Sequence, residues 1–230
     1  MMTIQELEQK YSIKYPELYK QLALDKMLEV GEYGATWYAE TFPKLKDNPT
    51  LLLFSDDFEL CPLKDVDEEI SWLRDPDNYM QIKEEYNFIP FAKNGAGDMY
   101  CFLMSEQVKG DYPIVFVWHD DIEATYEAKN LRDFIFKRIV SDMSQLDTYN
   151  KQSDKEFITY LRATLKTHSR YLSEDKVTLL EELIERPLID YRIKGWSEDS
   201  RGVLTDIEYQ QILKQYIPYG KMEESFPYSE

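Results

Sequence analysis

The chain has 230 residues, 43% hydrophobic and 14% aromatic, with 44 acidic against 27 basic residues and a formal charge of −17. That length admits one large domain, or a domain with an extension, and the apolar share is enough for a core. The negative field excludes ready binding to nucleic acid or anionic membrane and draws in a basic partner, although a charge of this size also serves solubility alone.

Thr3 and Glu6 have capping-box spacing, so a helix is predicted there, followed by Ile4, Leu7 and Tyr11 on one stripe. Pro16 suits the start of a second helix, with Leu18, Leu22 and Met27 apolar. Gly31 and Gly34 break that pattern, and residues 35–50, with Pro43 and Pro49, read as an irregular connection. Leu51–Phe54 and Phe58–Leu63 read as strands joined at Ser55-Asp56-Asp57. Asp65 to Arg74 reads as a short acidic helix carrying Val66, Ile70 and Leu73.

Asn87 to Leu103 reads as a hairpin. Apolar and aromatic runs flank Asn94-Gly95-Ala96-Gly97-Asp98, and Asn-Gly is expected to form a primed turn because both residues tolerate positive φ. Gly97 adds a second permissive site, and Asp98 is expected to hold the turn by accepting backbone N–H groups. Pro113 to Trp118 reads as a central strand. Asp120-Asp121 turns the chain, and Asn130 with Asp133 starts a helix bearing Leu131, Phe134, Ile135 and Ile139.

Ser141 to Asp154 is polar and serves as a candidate linker. Beyond it the pattern is helical. Phe157, Leu161, Leu165, His168 and Leu172 share one face, Val177, Leu180, Leu183 and Ile184 another, and Thr205 with Glu208 repeats the capping-box spacing before a helix that Pro218 ends. The expected division is 1–146 for an α+β domain, 147–218 for a helical extension and 219–230 for a fraying tail.

Cys61 and Cys101 form no CxxC pair, which fits reduced, buried thiols. The first residues lack a signal-peptide layout, and the longest apolar runs are too short to span a bilayer, so a cytosolic protein is expected. Catalytic and cofactor signals are weak. His119-Asp120-Asp121 invites a metal reading, but adjacent strand-end residues point to different sides and no second His or Cys completes a site. Gly95-x-Gly97 lacks the third glycine and the following helix of a dinucleotide loop. No metal, cofactor or catalytic residue is assigned.

The first 140 residues resemble the SUKH superfamily, which includes bacterial toxin-immunity proteins and the yeast cell-wall-synthesis regulator. IQELEQKY, YPELYKQL, LLLFSDDFELCPLKDV, IPFAKNGAGDMYCF and YPIVFVW with NLRDFIFKRI look like the family's pieces in order. Tyr15 stands where the family often has Leu, and its usual Asn-Gly after the second helix is absent. The resemblance implies an α+β fold, a twisted, mainly antiparallel sheet with helices packed on one side, here with a C-terminal helical extension. It also implies binding and not catalysis: bacterial members sit beside a secreted or injected toxin and neutralise it by direct contact. Asn94, Gly95, Gly97 and Asp98 are the structural motif of that resemblance.

The partner-site candidates are Asp56, Asp57, Glu59, Asp65, Asp67, Glu68 and Glu69, seven acids against Lys64 alone, together with Trp72. Such a surface can imitate nucleic acid toward a basic nuclease. The plain alternative is a solvated helix face with acids near its N-terminus. Trp37, Tyr38, Trp72 and Tyr79 are the aromatic candidates for a hot spot. The reading is thus an immunity protein occluding a basic cognate toxin. A non-enzymatic regulatory scaffold stands second and a carboxylate-based hydrolase third, with oligomeric state left open.

Overall fold

The computed structural model describes residues 2–146, 152–193, 195 and 199–229. Helices α1 (Ile4–Tyr11) and α2 (Glu17–Leu24) come first, then single turns α3 (Trp37–Glu40) and α4 (Phe42–Leu45). Strand β1 (Glu59–Leu60), helix α5 (Leu63–Leu73), strands β2 (Phe88–Lys93), β3 (Met99–Leu103), β4 (Ile114–Val117) and β5 (Glu123–Ala128), and helix α6 (Leu131–Ser144) complete the first part. The C-terminal part holds α7 (Asp154–His168), α8 (Glu174–Ile184), β6 (Ile189–Arg192), β7 (Asp199–Gly202), α9 (Asp206–Tyr216) and β8 (Ser225–Pro227). The fold is α+β: an antiparallel sheet in the order β1-β2-β3-β4-β5-β8, helices, and a small β6-β7 sheet.

Both faces of the main sheet are covered. Ile89, Phe91, Tyr100, Phe102 and Phe116 join the larger core under the helices, whereas Phe88, Met99, Cys101, Leu103, Val115 and Val117 join a smaller cluster with Met80 and Tyr228. Double burial explains why β3 and β4 read as continuous apolar runs and not as alternation. Phe91 lies 4.8 Å from Phe102 and 5.7 Å from Phe134, edge-on to the latter. Each is fully buried and contributes about 1.5–3 kcal/mol.

The capping boxes at Thr3 and Thr205 form as predicted, with both reciprocal hydrogen bonds. Other expectations are corrected. Leu51–Phe54 is a turn and not a strand, with Leu52 at φ 52°. Leu51 and Leu52 are buried, but the Leu51 N–H donates to the Met27 carbonyl, the Leu52 N–H to His168 Nε2 and the Leu53 N–H to Thr50 O, so these three are not free for a ladder. The strand expected over Phe58–Leu63 shrinks to two residues, because Pro62 begins α5. The expected linker is narrower, since Ser141–Ser144 belongs to α6 and Asp154 to α7; residues 147–151 lie outside the described residues. Strands β5, β6 and β7 carry no strand signal: β5 is mostly Glu and Ala, and β6 and β7 hold Asp, Arg, Ser and Gly, all poor strand formers or polar.

The tail does not fray. Ser225–Pro227 pairs with β5, the Tyr228 N–H donates to Ile122 O at 2.8 Å, and the Tyr228 hydroxyl donates to the carbonyls of Trp118 and Asp121. Strand pairing and the aromatic contacts of Tyr219, Phe226 and Tyr228 hold this segment on the sheet.

The C-terminal part shares the larger core with the first: Leu165, Leu180, Leu183, Leu204 and Leu213 pack in the same cluster as Phe134. It also closes the end of α6. The Val203 N–H donates to Met143 O at 2.9 Å, and the Tyr191 hydroxyl donates to Ser144 O at 2.7 Å, satisfying carbonyls a helix end leaves open. At Gly202 a Cβ would stand 2.2 Å from the Ser144 carbonyl oxygen. Gly202→Ala should therefore cost about 1–3 kcal/mol in urea unfolding, since backbone must move.

His168 is buried, its Nδ1–H donating to Thr164 O and its Nε2 accepting from Leu52. Burial lowers its pKa from 6.5 to about 4, so the folded chain holds it neutral while the unfolded chain protonates it. Its contribution is present above pH 6.5 and lost as pH falls towards 4. The stability advantage of wild type over His168→Gln, measured by denaturant unfolding, should narrow across that window.

Candidate partner-binding site

The signature turn lies beside the acidic residues. Only Gly97, at φ 99°, adopts the left-handed region, so Asn94 and Gly95 do not form the expected primed turn. Instead the Gly97 N–H donates to Asn94 O, and the Asn94 N–H to Asp98 O. Asn94 holds the turn: its Oδ1 accepts from the backbone of Ala96 and Asp98. Asp98 does a different job. Its carboxylate accepts from Asn94 Nδ2, from the His119 N–H and from His119 Nδ1 at 2.7 Å, tying the hairpin to the end of β4. Burial alone would raise its pKa, but the His119 and Asn94 hydrogen bonds hold it below the usual value.

Asp98, His119 and Asp120 bring donor atoms within 4.8 Å of one another. However, Asp98 Oδ1 and His119 Nδ1 are already bonded to each other, and Oδ1 also takes the His119 backbone N–H. These donors serve the tie, and no metal is assigned.

The structure divides the acidic candidates in two. On α5, Asp67 turns back to α1, 2.7 Å from Lys10 Nζ and 2.8 Å from the Tyr11 hydroxyl, and Lys10 lowers its pKa. Glu69 pairs with Lys93, and Glu68 lies 3.9 Å from Lys64. Asp65 completes that helix. Three lysines thus offset most of the α5 charge, and exposed pairs of this kind contribute little to stability. The second group is Asp56, Asp57 and Glu59, all exposed. Asp57 Oδ1 accepts the Gly95 N–H at 2.9 Å, so the first strand region grips the signature turn. Lys93 stands across the ladder from Glu59 but gives its ammonium to Glu69. Among the described residues none of these three acids has a salt-bridge partner.

Of the aromatic candidates, Trp37 is only 7% exposed and donates Nε1–H to Val30 O, which removes it as a contact residue. Tyr38 is 77% exposed, Tyr79 63% and Trp72 36%, the last two in edge contact.

Asp56, Asp57 and Glu59 line a cleft of about 500 Å³ that the sequence reading did not anticipate. Its other walls come from α6 and α7. Phe54 stacks on Tyr160 at 4.2 Å and 8°, and Phe42 meets both edge-on. Asp142 lies in the floor, its Oδ1 accepting from Ser55 Oγ and Asp56 N. The nearby Arg138 directs its N–H groups to Ser55, the Asp56 carbonyl and the Tyr100 hydroxyl. Burial pushes Asp142 up to about 7, against the pull of Arg138 and the two hydrogen bonds. The sequence signal missed was Glu156, Tyr160 and Thr164 at four-residue spacing, a second stripe beside the apolar face of α7.

An antiparallel sheet with covering helices and a turn-locked hairpin is the α+β arrangement that the sequence resemblance implied. The chain matches the SMI1 / KNR4 family (SUKH-1) over residues 2–137 and belongs to that family. Its members are generally non-enzymatic immunity or regulatory proteins, and they often bind toxins. No curated protein and no solved structure matches the chain. No helix among the described residues is long and apolar enough to cross a membrane.

Asp142 carries a pH test. Its folded pKa is raised, so between pH 3.8 and about 7 the fold retains a proton that the unfolded chain has released. Stability from this group therefore falls as pH rises through that window. Asp142→Asn should be more stable to urea than wild type near ~pH 8, and the gap should close towards ~pH 4.

Proposed function

We propose that this chain is an immunity protein that binds a cognate bacterial toxin and occludes it, without turnover. The partner is basic, a nuclease being the type that best fits an acidic surface. The observation that carries the reading is the set Asp56, Asp57 and Glu59, exposed and, among the described residues, without lysine partners beside the family's signature turn. Asp65, Asp67, Glu68, Glu69 and Trp72 form the adjoining part of the proposed face, linked through Lys93 between Glu59 and Glu69. Unpaired carboxylates steer a cationic partner from a distance and speed association at low salt.

The test is co-expression with the toxin domain encoded beside this gene. The chain should rescue growth and co-purify with the domain. Asp56→Lys with Glu59→Lys should weaken that complex by about tenfold or more and reduce its salt dependence, because like charges would then face each other. Death of the cells together with failure to co-purify would sink the reading; capture of several cellular proteins with no toxin would favour the regulatory role that the family also contains.

A further inference from the structure

The cleft between the family-matched part and the C-terminal part has a composition that selects a ligand. One wall is aromatic: Tyr38 at the mouth, Phe42, and the Phe54–Tyr160 stack. The other is acidic: Asp56, Asp57, Glu59 and Glu156 line it, with Asp142 in the floor, a carboxyl whose charged form a bound cation would favour. Among the described residues no Lys, Arg or His lines the cleft, and no cation lies within salt-bridge distance of Asp142; Arg138 attracts it from further off and directs its N–H groups to Ser55, Asp56 O and Tyr100. A guanidinium answers both walls at once. Its flat face stacks on aromatic rings, and its edge presents N–H pairs to carboxylates. An ammonium offers no such plane. The volume, about 500 Å³, lies in the range of sites that enclose a ligand larger than one side chain.

We propose that this cleft receives an arginine-bearing loop of the protein partner, its guanidinium laid against the Phe54–Tyr160 wall and held by Asp142 and the neighbouring carboxylates. This rests on the reading of the chain as a toxin binder and extends it. Asp142, on α6, lies just beyond the family match at residues 2–137, and Glu156 and Tyr160, on α7, belong to the C-terminal part, so that part contributes to both walls of the recognition surface. Partner choice can then change with that segment while the sheet domain stays constant.

The experiment measures binding of a labelled oligoarginine peptide, with an oligolysine peptide of equal length as control, to the full chain. Oligoarginine should bind about fivefold tighter or better. Tyr160→Leu and Asp142→Asn should each remove most of that preference. Glu181→Gln with Glu182→Gln, which removes more charge from the exposed face of α8, should leave it intact. Circular dichroism melting checks folding, and Glu156→Gln gives the same reading should Tyr160→Leu fail to fold. Equal binding of the two peptides, or equal loss in the α8 variant, overturns the proposal. The co-expression arm separates the two claims. Rescue that survives Tyr160→Leu and Asp142→Asn leaves the immunity reading standing and removes the cleft from it. Selective arginine binding without rescue from the neighbouring toxin keeps the cleft and removes the immunity reading.

Discussion

The segment from Leu51 to Asp57 runs from the core to the surface without belonging to a strand, and its buried backbone groups still need partners. A buried N–H left unpaired costs about 1–3 kcal/mol. Met27 supplies one acceptor, His168 another and Asp142 a third, while Arg138 covers the Asp56 carbonyl. These residues come from the end of α2, from α7 and from α6. The loop is therefore bonded to residues as far as 116 positions away in sequence. It also makes the C-terminal part a structural partner of the family-matched part, since one of those acceptors lies in α7.

The same convergence opens the cleft. Phe54 must turn outward to meet Tyr160 because Leu51 and Leu52 on either side of the chain turn are committed to the core. Asp142 is half-enclosed because it serves the loop's backbone. His168 and Asp142 hold neighbouring points of one loop, and burial disfavours the charged form of each. One is a base and the other an acid, so their effects on stability run in opposite directions over the mildly acidic range and partly cancel in the intact chain.

What could be read from the sequence was local. Thr3 with Glu6, and Thr205 with Glu208, specify helix starts through bonds made within four residues. The apolar runs flanking Asn94–Asp98 specify a hairpin in the same way, and the order of these pieces was enough to place the chain in its family. What could not be read was decided by distant partners. Leu51–Phe54 has the composition of a strand, but His168 claims its N–H. Asp67 and Glu69 look like free surface charge until Lys10 and Lys93 arrive from other elements. The turn type depended on Asn94's side chain bonding forward to Asp98, which moved the positive φ from Asn-Gly to Gly97. The cleft required two walls that sequence separates by about a hundred residues, from Phe54 to Tyr160.

The six-stranded sheet ends in stubs. At one side β1 has two residues, and at the other β8 has three, the last of them Pro227, which has no N–H to offer. Neither border presents a length of unpaired backbone on which another chain could lay a strand. Long central strands with both faces buried are the kind of material that polymerises when its margins are open, and here the margins are closed by brevity. Short margins of this kind give another copy of the chain little backbone on which to template a strand. Any protein that docks at these borders meets side chains and not a row of open backbone groups.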